Sequence, residues 1–286
     1  MNKKITVITG GHSGLGLAAA RCMASENVLL LCARNTESLA RVKAEMDSFG
    51  AEVYTFPMDV GNAASVQACA EYAASLGEVE NVIHAAGVSP ANTPADVILR
   101  VNGIGPVNIV NSFYPVMAHG GCMILIASSA GHVIEIDPQM APMLPAIKEI
   151  YQYWNEKDFD VRFMELFRDV FRIPPEGRAG IAYCATKNFV RWFTLANTNR
   201  FSKKGCRIVS VSPGSYLTPM HQALIDNQPE QANGVMEDIP MKRWGHPYEM
   251  GKLLQFICSA GGGYINGVDI LADGGSIYPH TVPQIE

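Results

Sequence analysis

What most constrains this chain is a rhythm: short apolar runs rich in Val and Ile recur between helix-length segments from one end to the other. That alternation is the signature of strand and crossover helix in a parallel sheet. The runs Ile5–Thr9, Val28–Ala33, Glu52–Phe56, Asn81–Ala85, Cys122–Ala127, Arg207–Ser212 and Val268–Leu271 read as seven strands. Most are apolar through their centres, as a sheet covered by helices on both faces requires. Gly14–Ser25, Glu37–Phe49, Ala63–Ser75, Pro94–Met117, Ile181–Phe201 and Pro247–Cys258 carry helical periodicity. The expected class is α/β, a doubly wound parallel seven-stranded sheet. With 286 residues, 48% of them hydrophobic, the chain is long and apolar enough to bury one large domain over 1–286.

One stretch breaks the rhythm. From His132 to about Gly180 a strand is separated from the next long helix by far more than the ~2–6 residues usual in such a unit. An inserted segment with its own structure, about 132–180, is expected. Ile147, Ile150, Tyr151 and Trp154 fall at helical spacing, and Phe159, Phe163, Leu166, Phe167 and Val170 form a second stripe, so two short amphipathic helices closed by Pro174-Pro175-Glu176-Gly177 are the simplest reading. The stripes need a surface to cover. Packing on the host domain, a subunit contact, and a mobile flap over the substrate cleft are the three possibilities.

Charge and composition exclude several classes. Lys and Arg total 22 against 27 acidic residues, a net charge of −5, so no basic excess exists to neutralise a phosphate backbone, and nucleic acid is not expected as a partner. No apolar run approaches the ~20 residues of a bilayer span. The opening Met1-Asn2-Lys3-Lys4 runs directly into a strand without an apolar signal segment, so a cytoplasmic protein is expected. The seven cysteines form no Cys-x-x-Cys pair and read as reduced, mostly buried thiols; no metal site is expected.

Chemistry concentrates at three places. Thr9-Gly10-Gly11-His12-Ser13-Gly14-Leu15-Gly16 follows the first strand and opens the first helix, where backbone amides at a helix N-terminus can receive a pyrophosphate. About twenty residues on, where an acidic residue would hold the ribose hydroxyls of NAD, stand Ala33 and Arg34. A guanidinium there pairs with a 2′-phosphate, so NADP(H) is favoured over NAD(H). Asp59-Val60 closes the third strand, placed either to accept from the adenine amine or to cap the helix near Ala63. Finally, Tyr183 and Lys187 sit four residues apart on one helix face. A fixed cation beside a phenol favours phenolate and lowers its titration toward the working pH, which suits tyrosine as a proton donor.

These motifs, in this order, resemble the short-chain dehydrogenase/reductase family over essentially the whole chain. The resemblance includes His84-Ala85-Ala86-Gly87 where the family usually has N-N-A-G, Asn102, Ser128-Ser129, and Ser212-Pro213-Gly214 with Thr218-Pro219-Met220. Arg243-Trp244-Gly245-His246-Pro247 and Asp273-Gly274-Gly275 look like its late signatures. The resemblance implies a Rossmann-like fold, hydride transfer between NADP(H) and a carbonyl or secondary alcohol, and a homodimer or homotetramer. It implies Tyr183 as proton donor, Ser129 (the second serine of the pair) as its partner on the substrate oxygen, Lys187 on the nicotinamide ribose, and Asn102 holding a relay water. Gly10, His12, Ser13, Gly14, Leu15, Gly16, Arg34, Asp59, Val60, Ala86, Gly87, Pro213, Gly214 and Thr218, with Tyr183 and Lys187, would bind cofactor. His84 and Ala85 replace both asparagines of the family segment, and His84 is expected to pack under the sheet. Ser129 stands 54 residues before Tyr183, where about a dozen is typical. An insertion at this point resembles the bacterial 3α-hydroxysteroid dehydrogenase/carbonyl reductases, which directs the substrate expectation to steroids and other bulky ketones. The rivals are reduction of a small or acyl-thioester ketone, a nucleotide-sugar epimerase or dehydratase, and a non-catalytic dinucleotide sensor.

Overall fold

The structure, a computed structural model, describes residues 3–227 and 229–285; Met1, Asn2, Gln228 and Glu286 lie outside the described residues. Seven strands, β1 (Lys4–Thr9), β2 (Val28–Ala33), β3 (Val53–Pro57), β4 (Glu78–His84), β5 (Met117–Ile126), β6 (Arg207–Pro213) and β7 (Asp269–Ala272), form one sheet in the order β3-β2-β1-β4-β5-β6-β7. Every pairing is parallel. The centres of β1, β2 and β5 are fully buried because α1 (Gly14–Met23), α2 (Thr36–Asp47) and α12 (Pro247–Cys258) cover one face, while α3 (Ala63–Leu76), α5 (Gly105–Phe113) and the 29-residue α9 (Pro175–Lys203) cover the other. The strand order reverses between β1 and β4, which opens a crevice beyond their C-terminal ends.

Three departures from the sequence expectation matter for the site. The expected helix over Pro94–Met117 is interrupted: α4 (Ala95–Ile98) passes into a π turn at Leu99–Ile104 before α5 begins. Pro106 has no N–H to offer the Asn102 carbonyl four residues back, so the α ladder fails there. A short helix absent from the expectation, α6 (Ala130–Ile136), follows β5. Two further helices outside the expected set, α10 (Pro219–Asn227) and α11 (Pro229–Asp238), follow β6.

Between α6 and α9 lie α7 (Leu144–Tyr151), α8 (Phe159–Glu165) and a π turn at Leu166–Val170. Pro174 and Pro175 do not close this segment but cap and open α9. The expected stripes are buried: Ile147, Tyr151, Phe163 and Phe167 have no exposure and Phe159 has 1%. They pack on the catalytic-side helix, with Phe159 5.1 Å from Phe189 and Trp154 5.2 Å from Phe193, centroid to centroid. Val170, placed in the second stripe from its spacing, points to solvent at the end of the π turn. None of residues 130–174 borders the large cavity described below. Packing on the host domain is therefore what the stripes do, and the flap expectation is corrected: the apolar faces are consumed by α9 and leave nothing to hinge over the cleft.

Candidate active site

A cavity of about 270 Å³ lies along the C-terminal ends of β1, β2, β4, β5 and β6. At one end, the turn after β1 supplies Gly10, His12, Ser13, Gly14 and Leu15, and β2 supplies Cys32, Ala33 and Arg34. Gly14 adopts φ +54°, and a Cβ there would project into the gap between the turn and Thr218, whose Cγ2 would be 3.8 Å away. Gly16 does not face the cavity. A Cβ on it would come within 2.5 Å of the Gly10 carbonyl, so it lets α1 pack under the turn and is corrected from binding to packing.

His12 and Arg34 both border the cavity. The buried Nδ1 of His12 has no partner among the described residues. Burial first, then the Arg41 and Arg34 charges, push this imidazole below its ordinary range. An unpartnered nitrogen beside two guanidinium groups, in a glycine-rich turn, fits an adenosine diphosphate moiety. Asp59 and Val60 border the same end. The cap of α3 is Asn62, whose side chain accepts from Ser65 N; Asp59 instead accepts from Gly61 N at 2.9 Å.

The opposite end collects Ser128, Tyr183, Lys187, Pro213, Gly214, Tyr216, Thr218 and His221, with Ala86, Gly87 and Val88 between the two ends. Ser128 and Tyr183 line this end of the cavity together. Ser129 does not border the cavity: it opens α6, and its N–H donates to the Pro213 carbonyl at 2.8 Å. The serine that shares the cavity with the tyrosine is thus Ser128, the first of the pair. The reason lies three residues on, where a Cβ on Gly131 would come 2.7 Å from the Lys187 carbonyl carbon. Gly131 must sit against α9, and this register turns Ser128 to the cleft. Gly131 was the signal in the sequence that could have chosen between the serines.

Lys187 is buried, and its Nζ donates to the Ile126 carbonyl at 2.8 Å and lies 5.8 Å from the Tyr183 ring centre. Burial pushes its ammonium down to about 8. Burial likewise raises the Tyr183 phenol, with Ser128 opposing that rise and the neighbouring Cys184 adding to it. The expected depression of the phenol by Lys187 is corrected: the ammonium is itself desolvated and engaged with a carbonyl. Asn102, on the π turn, accepts from Val88 N and donates to Val88 O, both at 2.9 Å. It braces the loop after β4 from behind Gly87 and does not border the cavity. His84 is buried, and its Nδ1 pairs with Thr9 Oγ1 at 2.8 Å, as expected of a residue packed in the sheet.

The comparisons agree with this architecture. The profile described as short chain dehydrogenase matches residues 4–137, and that described as enoyl-(acyl carrier protein) reductase matches 175–276. The chain is 27% identical over 274 residues to the short-chain dehydrogenase/reductase bsc3 of Alternaria brassicicola, covering 95% of each. It is equally 27% identical over 275 residues to 2,5-dichloro-2,5-cyclohexadiene-1,4-diol dehydrogenase LinX of Sphingobium indicum, again with 95% of each covered. Its fold superposes on an actinorhodin polyketide ketoreductase crystallised with NADPH at a TM-score of 0.74, with 19% identity over 96% of this chain and 97% of that one. The protein is an oxidoreductase of the nicotinamide-dependent kind, acting on CH–OH groups. Specifically, the chain belongs to the short-chain dehydrogenase/reductase family.

Proposed function

We propose that this protein transfers hydride between NADP(H) and a ketone or secondary alcohol, with Tyr183 as proton donor in reduction. The observation that carries the reading is that Ser128, Tyr183 and Lys187 line one end of a cavity whose other end is the glycine turn and Arg34. The nicotinamide supplies the hydride when bound. Lys187 would hold its ribose, and Pro213, Gly214 and Thr218 would orient the ring so that one face meets the substrate. Ser128 and Tyr183 hold the substrate oxygen between two donors, and the phenol proton passes to that oxygen as negative charge develops on it. Asn102 supports this arrangement by fixing Val88, leaving Gly87 close to Lys187: a Cβ on Gly87 would lie 3.7 Å from Nζ.

NADP(H) is favoured because Arg34 borders the adenosine end and Ala33-Arg34 stand at the end of β2 in place of an acidic residue. The substrate class we propose is a bulky apolar ketone, with a steroid as the test case; Tyr216 and Pro219 at the substrate end, with Val88 beside it, give apolar walls. A turnover screen of steroid, quinone, sugar and acyl-thioester ketones with NADPH and with NADH tests both parts. Turnover of at least one ketone with NADPH preferred is expected. Binding of NADPH without turnover of any class would overturn the catalytic reading in favour of a dinucleotide sensor.

A further inference from the structure

The segment between α6 and α9 borders no part of the cavity, yet it reaches the catalytic helix through a chain of polar contacts that the reaction itself does not explain. Tyr151, at the end of α7, is fully buried among Phe163, Phe189 and Trp192. A phenol in such surroundings needs a partner. Its hydroxyl donates toward two oxygens of α9, the Ala185 carbonyl at 3.0 Å and Asn188 Oδ1 at 2.9 Å. Ala185 lies midway between Tyr183 and Lys187.

Asn188 passes the contact on. With its carbonyl oxygen taken by Tyr151, its amide donates to the Gly131 carbonyl and to Glu135 Oε1, both at 2.8 Å. This allocation fixes which way the amide faces, since exchanging its oxygen and nitrogen would set Asn188 Oδ1 against two acceptors, the Gly131 carbonyl and the Glu135 carboxylate. Arg191 also donates to the Gly131 carbonyl, at 2.8 Å, and pairs with Glu135 at 3.1 Å. Gly131 in turn donates its N–H to the Ser128 carbonyl at 2.9 Å. One arm of the chain therefore ends on the backbone carrying Tyr183 and Lys187, and the other on the turn carrying Ser128.

We infer that Tyr151 is a positioning residue, which sets the distance between the Ser128 and Tyr183 hydroxyls by clamping α9 to the turn after β5. It touches neither substrate nor cofactor and acts through Asn188 and Gly131. Loss of its hydroxyl strips the Ala185 carbonyl and Asn188 Oδ1 of their shared donor and leaves α9 tied to the turn through Asn188 and Arg191 alone, so the spacing between Ser128 and Tyr183 relaxes. Ser128 is the group that opposes the burial-driven rise of Tyr183; the other titratable groups at this phenol are Cys184 and Lys187 on its own helix. The groups facing the clamp are Glu135 of α6 and Arg191 of α9. The inference rests on the reading of Tyr183 as proton donor, and its test is independent of turnover.

The test labels the full chain with 3-fluorotyrosine, whose more acidic phenol titrates in an accessible range, and follows the Tyr183 resonance, assigned with Tyr183→Phe, by 19F NMR against pH. Tyr151→Phe keeps the buried ring and is expected to move the Tyr183 titration upward by about half a pH unit. Ser128→Ala should produce a comparable rise, and the double variant no further rise, because both changes break one contact. Phe163→Leu, which disturbs the same aromatic cluster without touching the chain, should lower stability and leave the titration in place. If Tyr151→Phe does not accumulate as folded protein, Glu135→Ala at the half-buried end of the chain, which removes the acceptor of the Asn188 amide, should raise the titration in the same direction. An unchanged titration in Tyr151→Phe, or in Glu135→Ala where that variant stands in for it, overturns the inference, as does full additivity with Ser128→Ala. Absence of ketone turnover beside a shifted titration would instead overturn the proposed reaction and leave the clamp standing.

Discussion

Ser128 and Tyr183 separate by substitution more sharply than any other residues in the cleft. Tyr183→Phe removes the proton donor and keeps the ring, so turnover should fall by ~10²–10⁴ with NADPH binding nearly unchanged; more than a tenth of the original turnover would remove Tyr183 from the mechanism. Ser128→Ala should cost ~10²–10³ in kcat, as loss of one donor to a developing oxyanion does. Ser129→Ala should stay within about twofold, because its side chain does not border the cavity. Equal losses at the two serines would contradict the geometry. At the adenosine end, Arg34→Ala removes a charge-assisted contact to a 2′-phosphate that contributes on the order of 1.5–3 kcal/mol. NADPH should weaken by about 10- to 100-fold while NADH is unaffected, and dissociation constants for both cofactors check it. Weakening of both alike would leave Arg34 without a role in selectivity.

Among the elements, α7, α8 and the π turn after them behave as part of the host. Their buried rings meet Phe189, Trp192 and Phe193 of α9, so replacing Pro138–Pro175 with a short Gly/Ser loop uncovers that face. Burial of each such side chain contributes roughly 1.5–3 kcal/mol, and at least five are involved: Ile147, Tyr151, Phe159, Phe163 and Phe167. The replacement should yield aggregated or unfolded protein by sedimentation and circular dichroism. A folded protein that only binds bulky ketones less well would restore the flap.

For the molecule as a whole, buried titratable groups shape stability against pH. His84 is pushed down to about 3, by burial first and then by the Lys187 charge. The unfolded chain protonates this imidazole below about 6.5 and the folded protein only below about 3, so the unfolded state binds the extra proton between them. Stability therefore falls as pH drops through that window, by up to about 1.4 kcal/mol per unit from this group. Asp269 adds to acid sensitivity. Burial alone would raise its carboxyl, but hydrogen bonds from His132, Ser210 and Ser212 and the Arg191 charge hold it low, and that stabilisation is lost on protonation. His84→Asn should flatten the decline in urea midpoint between pH 6.5 and 4 without abolishing it. An unchanged slope would show that His84 does not titrate with unfolding.

The sheet was legible because its causes are local. A strand buried on both faces must be apolar throughout, and a crossover helix must carry a 3.6-residue stripe, so Val28–Ala33 and Pro247–Cys258 were readable to the residue. The glycine turn and the Tyr183/Lys187 pair were legible for the same reason: each is a backbone or helix-turn geometry written within a few consecutive positions. Helix α6 was not legible, since seven residues, one of them Gly131, carry too short a period. Which serine lines the cleft was not legible, because it depends on Gly131 abutting Lys187, 56 positions away in sequence. The fate of the aromatic stripes likewise depended on Phe189, Trp192 and Phe193, whose presence on the facing helix made packing cheaper in free energy than exposure. Periodicity told this chain which faces to bury. Only the tertiary structure decided against what they are buried, because contact between distant segments follows from how the elements pack around one sheet and is written at no single place in the sequence.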